Sequence, residues 1–235
     1  GPSWILLSAI PHFLGMGNIV ITIFFFKLFI VTFYVGTVLL IWKLSKSLSS
    51  TILFALNPLV LVETLISAHN DIVMMFFALL AFYFLKQHKI VFSIIALLAS
   101  ILIKYATIAL VPIFLFAIYK MIKGKKISWE TLYVVSGWIM MGMFLLSALR
   151  EEIYPWYVIW ILSFAILVPE RKFLLIFTLV FSFTTLLRYI PVLLTGSYFG
   201  ITPLTKELLT FVPIAILGIL WLCKKFLWQR FSHFA

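Results

Sequence analysis

The chain has 235 residues, 65% of them hydrophobic and only 11% charged, with 18 Lys and Arg against 7 Asp and Glu for a net charge of +11. A soluble domain carries roughly 45–50% apolar and about 25% charged residues, and a globule of this size has too little interior to hide the excess, so the chain is an integral membrane protein. Disorder, coiled coil, collagen and a disulfide scaffold are excluded by the same composition, and Cys223, the one cysteine, permits no internal bridge. Long apolar runs favour helices over an outer-membrane barrel. The basic excess reads as juxtamembrane rather than as a nucleic-acid surface, because no basic stripe lies on a water-exposed domain.

In chain order, residues 1–18 carry Pro2, Trp4, Pro11, Gly15, Gly17 and Asn18, which suits an outer interfacial loop or a short surface helix. The opening Gly1-Pro2-Ser3-Trp4 reads as the middle of a loop, and the chain is expected to be an N-terminally truncated fragment. Apolar segments follow at 19–42, 51–68, 72–85, 90–103, 105–120, 131–149, 156–168, 173–190 and 208–223. The reading is all-α: one transmembrane domain over 1–235, with a polytopic helical bundle of about nine mostly short segments from 19 to 228.

Charge divides the connections into two sets. Lys43, Lys46, Lys86, Lys89, Lys120, Lys123, Lys125, Lys126, Arg171, Lys172, Lys224, Lys225 and Arg230 fall on alternate connections with only Glu130 and Glu170. The positive-inside rule puts that set in the cytoplasm, with the N-terminus outside and the C-terminus inside. The 90–120 stretch must break at Lys104-Tyr105, or its two lysine clusters would lie on opposite sides. Fourteen helical residues reach about 21 Å, short of the roughly 30 Å hydrocarbon layer. Short segments whose cytoplasmic ends sit at the inner interface therefore stop inside the outer leaflet, where polar groups must line a protein-enclosed cavity.

The remaining ionisable residues lie at or near the outer helix ends. Pro58 removes a helix donor and biases Asn57 away from helix, which predicts a kink or restart. If 59–70 is helical, Glu63, Ser67 and Asn70 share a face. Asp71 either N-caps the next helix or belongs to a functional cavity, and Glu63 either pairs with a lysine or marks that cavity. His69 gains weight from the two carboxylates nearby. Lys104 serves a cavity or an ion pair with Glu63 or Asp71, and Arg188-Tyr189 ends another segment on the same side. Arg150-Glu151-Glu152 reads as solvated. Tyr154-Pro155-Trp156-Tyr157 forms an aromatic belt or stacks on a sugar ring. Lys27 neutralises a carboxylate or snorkels outward. Loop 191–207, with Pro191, Gly196, Gly200 and Pro203, is expected to be a mobile lid.

A cavity with carboxylates, a His/Asn pair, cations and aromatics suits sugar hydroxyls and a departing phosphate, while a donor's lipid chain stays in the bilayer. The run Asn57-Pro58, Glu63, His69-Asn70-Asp71, then Lys104 and Pro112, resembles the multi-spanning GT-C glycosyltransferases. Within them it is most similar to polyprenyl-phosphate-mannose-dependent mannosyltransferases, including actinobacterial α-1,6-mannopyranosyltransferases. Gly1-Pro2-Ser3-Trp4 is similar to a Tyr-Gly-Pro-x-Trp type sequence in their first large outer loop, without its Tyr. Tyr154-Pro155-Trp156-Tyr157 is similar to a proline-aromatic stretch that opens a later helix in them.

The resemblance implies transfer of a hexose, with mannose expected, from a polyprenyl-phosphate donor to a glycan or glycolipid acceptor at the outer face of the plasma membrane. Glu63, His69, Asn70 and Asp71 would bind donor sugar, or Glu63, His69 and Asp71 a Mg²⁺ or Mn²⁺ ion. Lys104 and Arg188 would hold the phosphate, and Tyr154 and Trp156 would pack on sugar or lipid. The family's acceptor-activating Asp lies after its first helix; residues 1–18 hold no acid, so the catalytic base is not assigned. Two other readings are a lipid-linked-sugar flippase or small-solute transporter, and a non-catalytic membrane subunit.

Overall fold

The structure, a computed structural model, describes residues 1–147, 149 and 152–231, with side chains as far as Lys224. The expectations placed on Arg150 and Glu151, and on the side chains of Lys225 and Arg230, lie outside what is described. Every regular element among the described residues is helical. Two compact units divide the chain, Gly1–Leu175 and Ile176–Ala235.

The first unit opens with α1 (Pro2–Leu14), the second of the two forms expected for this segment; Pro2 occupies its first turn, where the missing N–H costs nothing. Asn18 then N-caps α2 (Ile19–Ser45), its Oδ1 accepting from the Val20 and Ile21 amides at 2.9 and 3.2 Å. Lys27 lies exposed on α2. The expected break near Pro58 is present. α3 (Leu48–Ala55) stops, Asn57 turns extended, and its side chain caps α4 (Pro58–Ile66) across a 48° bend. From Leu61 to Ile66 the chain winds as a π-helix, which changes the side-chain spacing, so the α-helical face expected for Glu63, Ser67 and Asn70 does not form.

α5 (Asp71–Lys86) is the buried centre, packed by α2, α6 (Ile90–Ile103) and α9 (Val158–Ala165). Its own apolar residues cover nearly every face, as a helix surrounded by protein requires. Two serines one heptad apart tie α6 to it: Ser93 Oγ donates to the Ala81 carbonyl at 2.9 Å and Ser100 Oγ to that of Met74 at 2.8 Å. Such bonds in a bilayer contribute about 0.6 kcal/mol each on average. α2 approaches α5 at Gly36, where an added Cβ would fall 2.6 Å from the Phe76 ring.

α6 stops at Lys104, whose backbone is extended (φ −151°, ψ 125°), the break the charge pattern predicts. A 3₁₀ stretch (Tyr105–Leu110) leads into α7 (Val111–Ile122), then α8 (Trp129–Ser147), the short turn Pro155–Tyr157 and α9. Arg171 Nε donates to Glu130 Oε1 at 2.8 Å.

α10 (Lys172–Leu186) crosses the boundary between the units, and the second unit continues with α11 (Tyr189–Thr195) and α12 (Thr202–Phe231). The lid expected over 191–207 is mostly helix. Only 196–201 connects α11 to α12, with Gly196 and Gly200 in the left-handed region (φ 65° and 71°) that a Cβ disfavours.

Length and composition do not confirm the expected count of about nine membrane segments. Among the described residues five helices are long and apolar enough to cross, Ile19–Ser45, Tyr105–Ile122, Trp129–Ser147, Lys172–Thr195 and Thr202–Lys224, or six with the bent pair α3–α4. At about 1.5 Å per residue, α6 and the Pro155–Ala165 helix are too short to span by themselves. If Gly36 sets the approach of α2 to α5, Gly36→Leu must displace Phe76; a loss of about 1–3 kcal/mol is expected, read as a lower melting temperature in detergent than for the wild type.

Candidate functional site

The break after α6 and the start of α5 face one another, and the site grows from that juxtaposition. Asp71 is the first residue of α5 and its side chain is 1% exposed. It makes no cap. Its Oδ1 accepts from Lys104 Nζ at 3.0 Å and from the indole Nε1–H of Trp160 at 2.6 Å. The backbone cap position falls to Asn70, whose carbonyl accepts from the Val73 and Met74 amides at 3.0 and 3.2 Å. Of the two partners expected for Lys104, the structure selects Asp71.

Lys104 is also roofed by aromatics. Its Nζ lies 4.2 Å from the Tyr157 ring centroid and 5.2 Å from that of Trp160, and those two rings stack at 4.3 Å. Such contacts stabilise a cation that has lost part of its water. The lysine keeps 29% of its side chain exposed and lines a cavity of about 440 Å³ together with Ile108, Met143, Leu146, Tyr157 and Trp160. One cation at the wall of an otherwise mostly apolar space suits an anionic head group that carries an apolar tail.

Glu63 and His69 form the adjoining part. The π-helical winding carries Glu63 to a position with no exposure, and the chain then folds back through Ala68 at positive φ (57°). The His69 amide donates to the Glu63 carbonyl at 2.9 Å, and His69 Nε2 lies 3.3 Å from Glu63 Oε2. The imidazole stacks on Trp156 at 3.7 Å, and Trp156 stacks on Tyr154 at 4.5 Å and 8°. His69 sits in the connection 67–70 between helices. Burial holds its imidazole below the ordinary value, the Asp71 carboxylate pulls it back up, and the Lys104 cation pushes it down. His69 is therefore neutral at pH 7, and its contact with Glu63 becomes an ion pair only on protonation.

Glu63, His69, Asp71, Lys104, Tyr154 and Trp156 are thus linked by contacts within the first unit, with Asn70 half-buried between His69 and Asp71. Arg188 belongs to the second unit. There it is 3% exposed and donates to the Lys206 carbonyl at 3.3 Å, Thr210 Oγ1 at 2.9 Å and Glu207 Oε1 at 3.0 Å. Trp160 was not anticipated. Its signal was an indole N–H inside an apolar run, which needs an acceptor wherever it is buried, but nothing local named Asp71, 89 residues away.

The donor set does not fit a Mg²⁺ or Mn²⁺ ion held by Glu63, His69 and Asp71. Among the described residues no three His, Cys, Asp or Glu side chains come together as a metal set, and the Lys104 ammonium already occupies the cationic position beside Asp71 Oδ1.

Two outcomes test this geometry. Trp160→Phe keeps one aromatic ring, removes the N–H from a buried carboxylate and leaves a small void; a loss of about 1–3 kcal/mol or more is expected, measured by thermal melting. His69 binds its proton more readily unfolded than folded. Its contribution to stability is therefore present above the ordinary imidazole value of about 6.5 and is lost as the pH falls from there through the lowered folded value. The wild-type melting temperature should drop further between pH 7.5 and 5.5 than that of His69→Gln, and equal drops would count against the burial argument.

Comparison with known proteins adds a family. The family model described as alpha-(1->6)-mannopyranosyltransferase, N-terminal domain, matches residues 1–120, which include Glu63, His69, Asn70, Asp71 and Lys104. The model described as branched-chain amino acid transport protein (AzlD) matches residues 173–234. No curated protein and no solved structure matches the chain. With just over half its length covered by the first model, the chain belongs to the alpha-(1->6)-mannopyranosyltransferase N-terminal domain family.

Proposed function

We propose that this is a membrane glycosyltransferase of the GT-C type that transfers a hexose, mannose in the first instance, from a polyprenyl-phosphate donor to a glycan or glycolipid acceptor. The observation that carries the reading is Lys104, fixed by a buried carboxylate and two stacked rings at the wall of an apolar cavity. That arrangement suits a lipid phosphate: the ammonium meets the phosphate oxygens while the prenyl chain lies along Ile108, Met143 and Leu146.

In the proposed reaction the acceptor hydroxyl attacks the anomeric carbon, the bond from that carbon to the phosphate oxygen breaks, and polyprenyl phosphate leaves. Lys104 stabilises the charge that grows on the departing phosphate. Asp71 and Trp160 hold the ammonium in place, so little reorganisation is needed as that charge develops. Glu63, His69 and Asn70 would accept and donate hydrogen bonds to sugar hydroxyls, and Tyr154 and Trp156 offer faces to the C–H side of the ring. No side chain here is assigned as the base that takes the acceptor proton. Lys104 takes the phosphate role in the first unit, and Arg188, which bonds Glu207 and Thr210 in the second, is the other cation proposed for a phosphate.

The same proposal includes a single transmembrane domain over the chain, in the plasma membrane with its N-terminus outside, its C-terminus in the cytoplasm and the site facing outward. The thirteen-to-two basic bias on alternate connections supports that sidedness. A second reading, transport of a small solute or flipping of a lipid-linked sugar, is favoured by the match of residues 173–234 to a transport-protein family and by broken helices beside buried charges, which transporters also use.

In the intact protein Glu63→Gln, Asp71→Asn and Lys104→Ala are each expected to abolish incorporation of radiolabelled sugar from a polyprenyl-phosphate donor while membrane insertion persists. Near-normal transfer by all three would reject the site. Flux in proteoliposomes without a glycosidic product would favour the transport reading instead.

A further inference from the structure

A second cavity lies at the opposite end of α5 and α6 from Lys104, about 21 Å away along the fourteen residues of α6. Two turns build it. After Lys86 the chain passes through His88 at positive φ (59°), with the Lys89 amide donating to the Phe84 carbonyl at 2.9 Å. After Ile122 it passes through Gly124 at positive φ (62°), with the Lys125 amide donating to the Lys120 carbonyl at 2.9 Å. These tight helix ends bring Lys86, His88, Lys125 and Lys126 around a space of about 290 Å³ floored by Met121 and Trp129.

Three lysines line this cavity, and the sequence holds no acid between Asp71 and Glu130. Glu130, the nearest in sequence, already accepts from Arg171 Nε at 2.8 Å. Mutual repulsion of the lysines is offset by an oxyanion able to take several charge-assisted hydrogen bonds at once, which is phosphate chemistry. The flank of the cavity identifies the carrier. Leu115, Phe116, Tyr119 and Ile122 stand 62%, 53%, 51% and 71% exposed on α7, a continuous apolar strip at helical spacing that ends at the lysines. Half-buried Trp129 opens the next helix beside them, the position aromatic residues take at a membrane surface.

We propose that this cavity binds the phosphate head group of an anionic membrane lipid, with an acyl chain laid along the exposed strip of α7. The site is separate from the proposed donor site and does not depend on it. Basic pockets between membrane helices are suited to such head groups.

The test uses the full chain purified in neutral detergent and titrated with fluorescent phosphatidylglycerol or phosphatidylcholine. Phosphatidylglycerol should bind saturably and at least about tenfold tighter, and raising the salt should weaken it. Lys125→Glu/Lys126→Glu, both at exposed positions, should lose about tenfold or more with an unchanged melting temperature. Lys27→Gln/Lys172→Gln, which lowers the positive charge elsewhere, should bind like the wild type. Equal binding of the two lipids, undiminished binding by Lys86→Gln/Lys125→Gln/Lys126→Gln, or full displacement by equimolar inorganic phosphate would overturn the proposal. The last of these would mark a site for a soluble anion.

Discussion

One partly buried ion pair, Asp71 with Lys104, organises the first unit. Removing a carboxylate and an ammonium from water costs several kcal/mol per ion, and their attraction offsets this only when geometry and extra hydrogen bonds are good. Here the 3.0 Å contact is joined by the 2.6 Å indole bond from Trp160 and by the stacked faces of Tyr157 and Trp160. Three distant parts of the chain, α5, the end of α6 and α9, are therefore fixed to one point. A pair of this kind is weak evidence for stability and stronger evidence for positioning, because an apolar core would hold the same helices at less cost.

The helices stop where the pair needs them to stop. α6 ends in an extended residue rather than continuing into α7, and that residue is the lysine. The π-helical winding after Pro58 does the same for Glu63, and the return through Ala68 brings His69 back onto it. Irregular backbone at membrane depth is tolerated where protein covers it or where it lines a cavity. Protein encloses both carboxylates, and Lys104, which retains partial exposure, lines a cavity.

The two ends of the α5–α6 hairpin then present opposite chemistry. At one end a single cation is neutralised by a buried acid and roofed by rings. At the other, three lysines gather with no acid from the intervening sequence. The first suits a ligand whose charge must be stabilised only as it leaves, and the second suits a standing anion. The second unit contributes a different motif, a buried arginine satisfied by Thr210, Glu207 and a backbone carbonyl. It lies in the segment with the transport-family resemblance.

Composition and charge spacing determined much by themselves: an all-helical membrane chain, the break at Lys104, the restart after Asn57-Pro58, and most of the residues that gather around Lys104 and His69. These are legible because hydrophobicity, proline and charge act locally or against the bilayer, with no partner to identify. The number of long spans was not legible, since apolar runs such as 72–85 and 90–103 look alike whether lipid or protein surrounds them, and only packing made α5 an enclosed core. Tertiary structure alone decided that Asp71 binds Lys104 rather than capping its helix, that Trp160 supplies the second donor, and that Arg188 bonds within its own unit. It also made most of 191–207 helical. The physical reason is that a buried polar atom takes whichever partner the fold brings within about 3 Å, and that partner can lie anywhere in the chain.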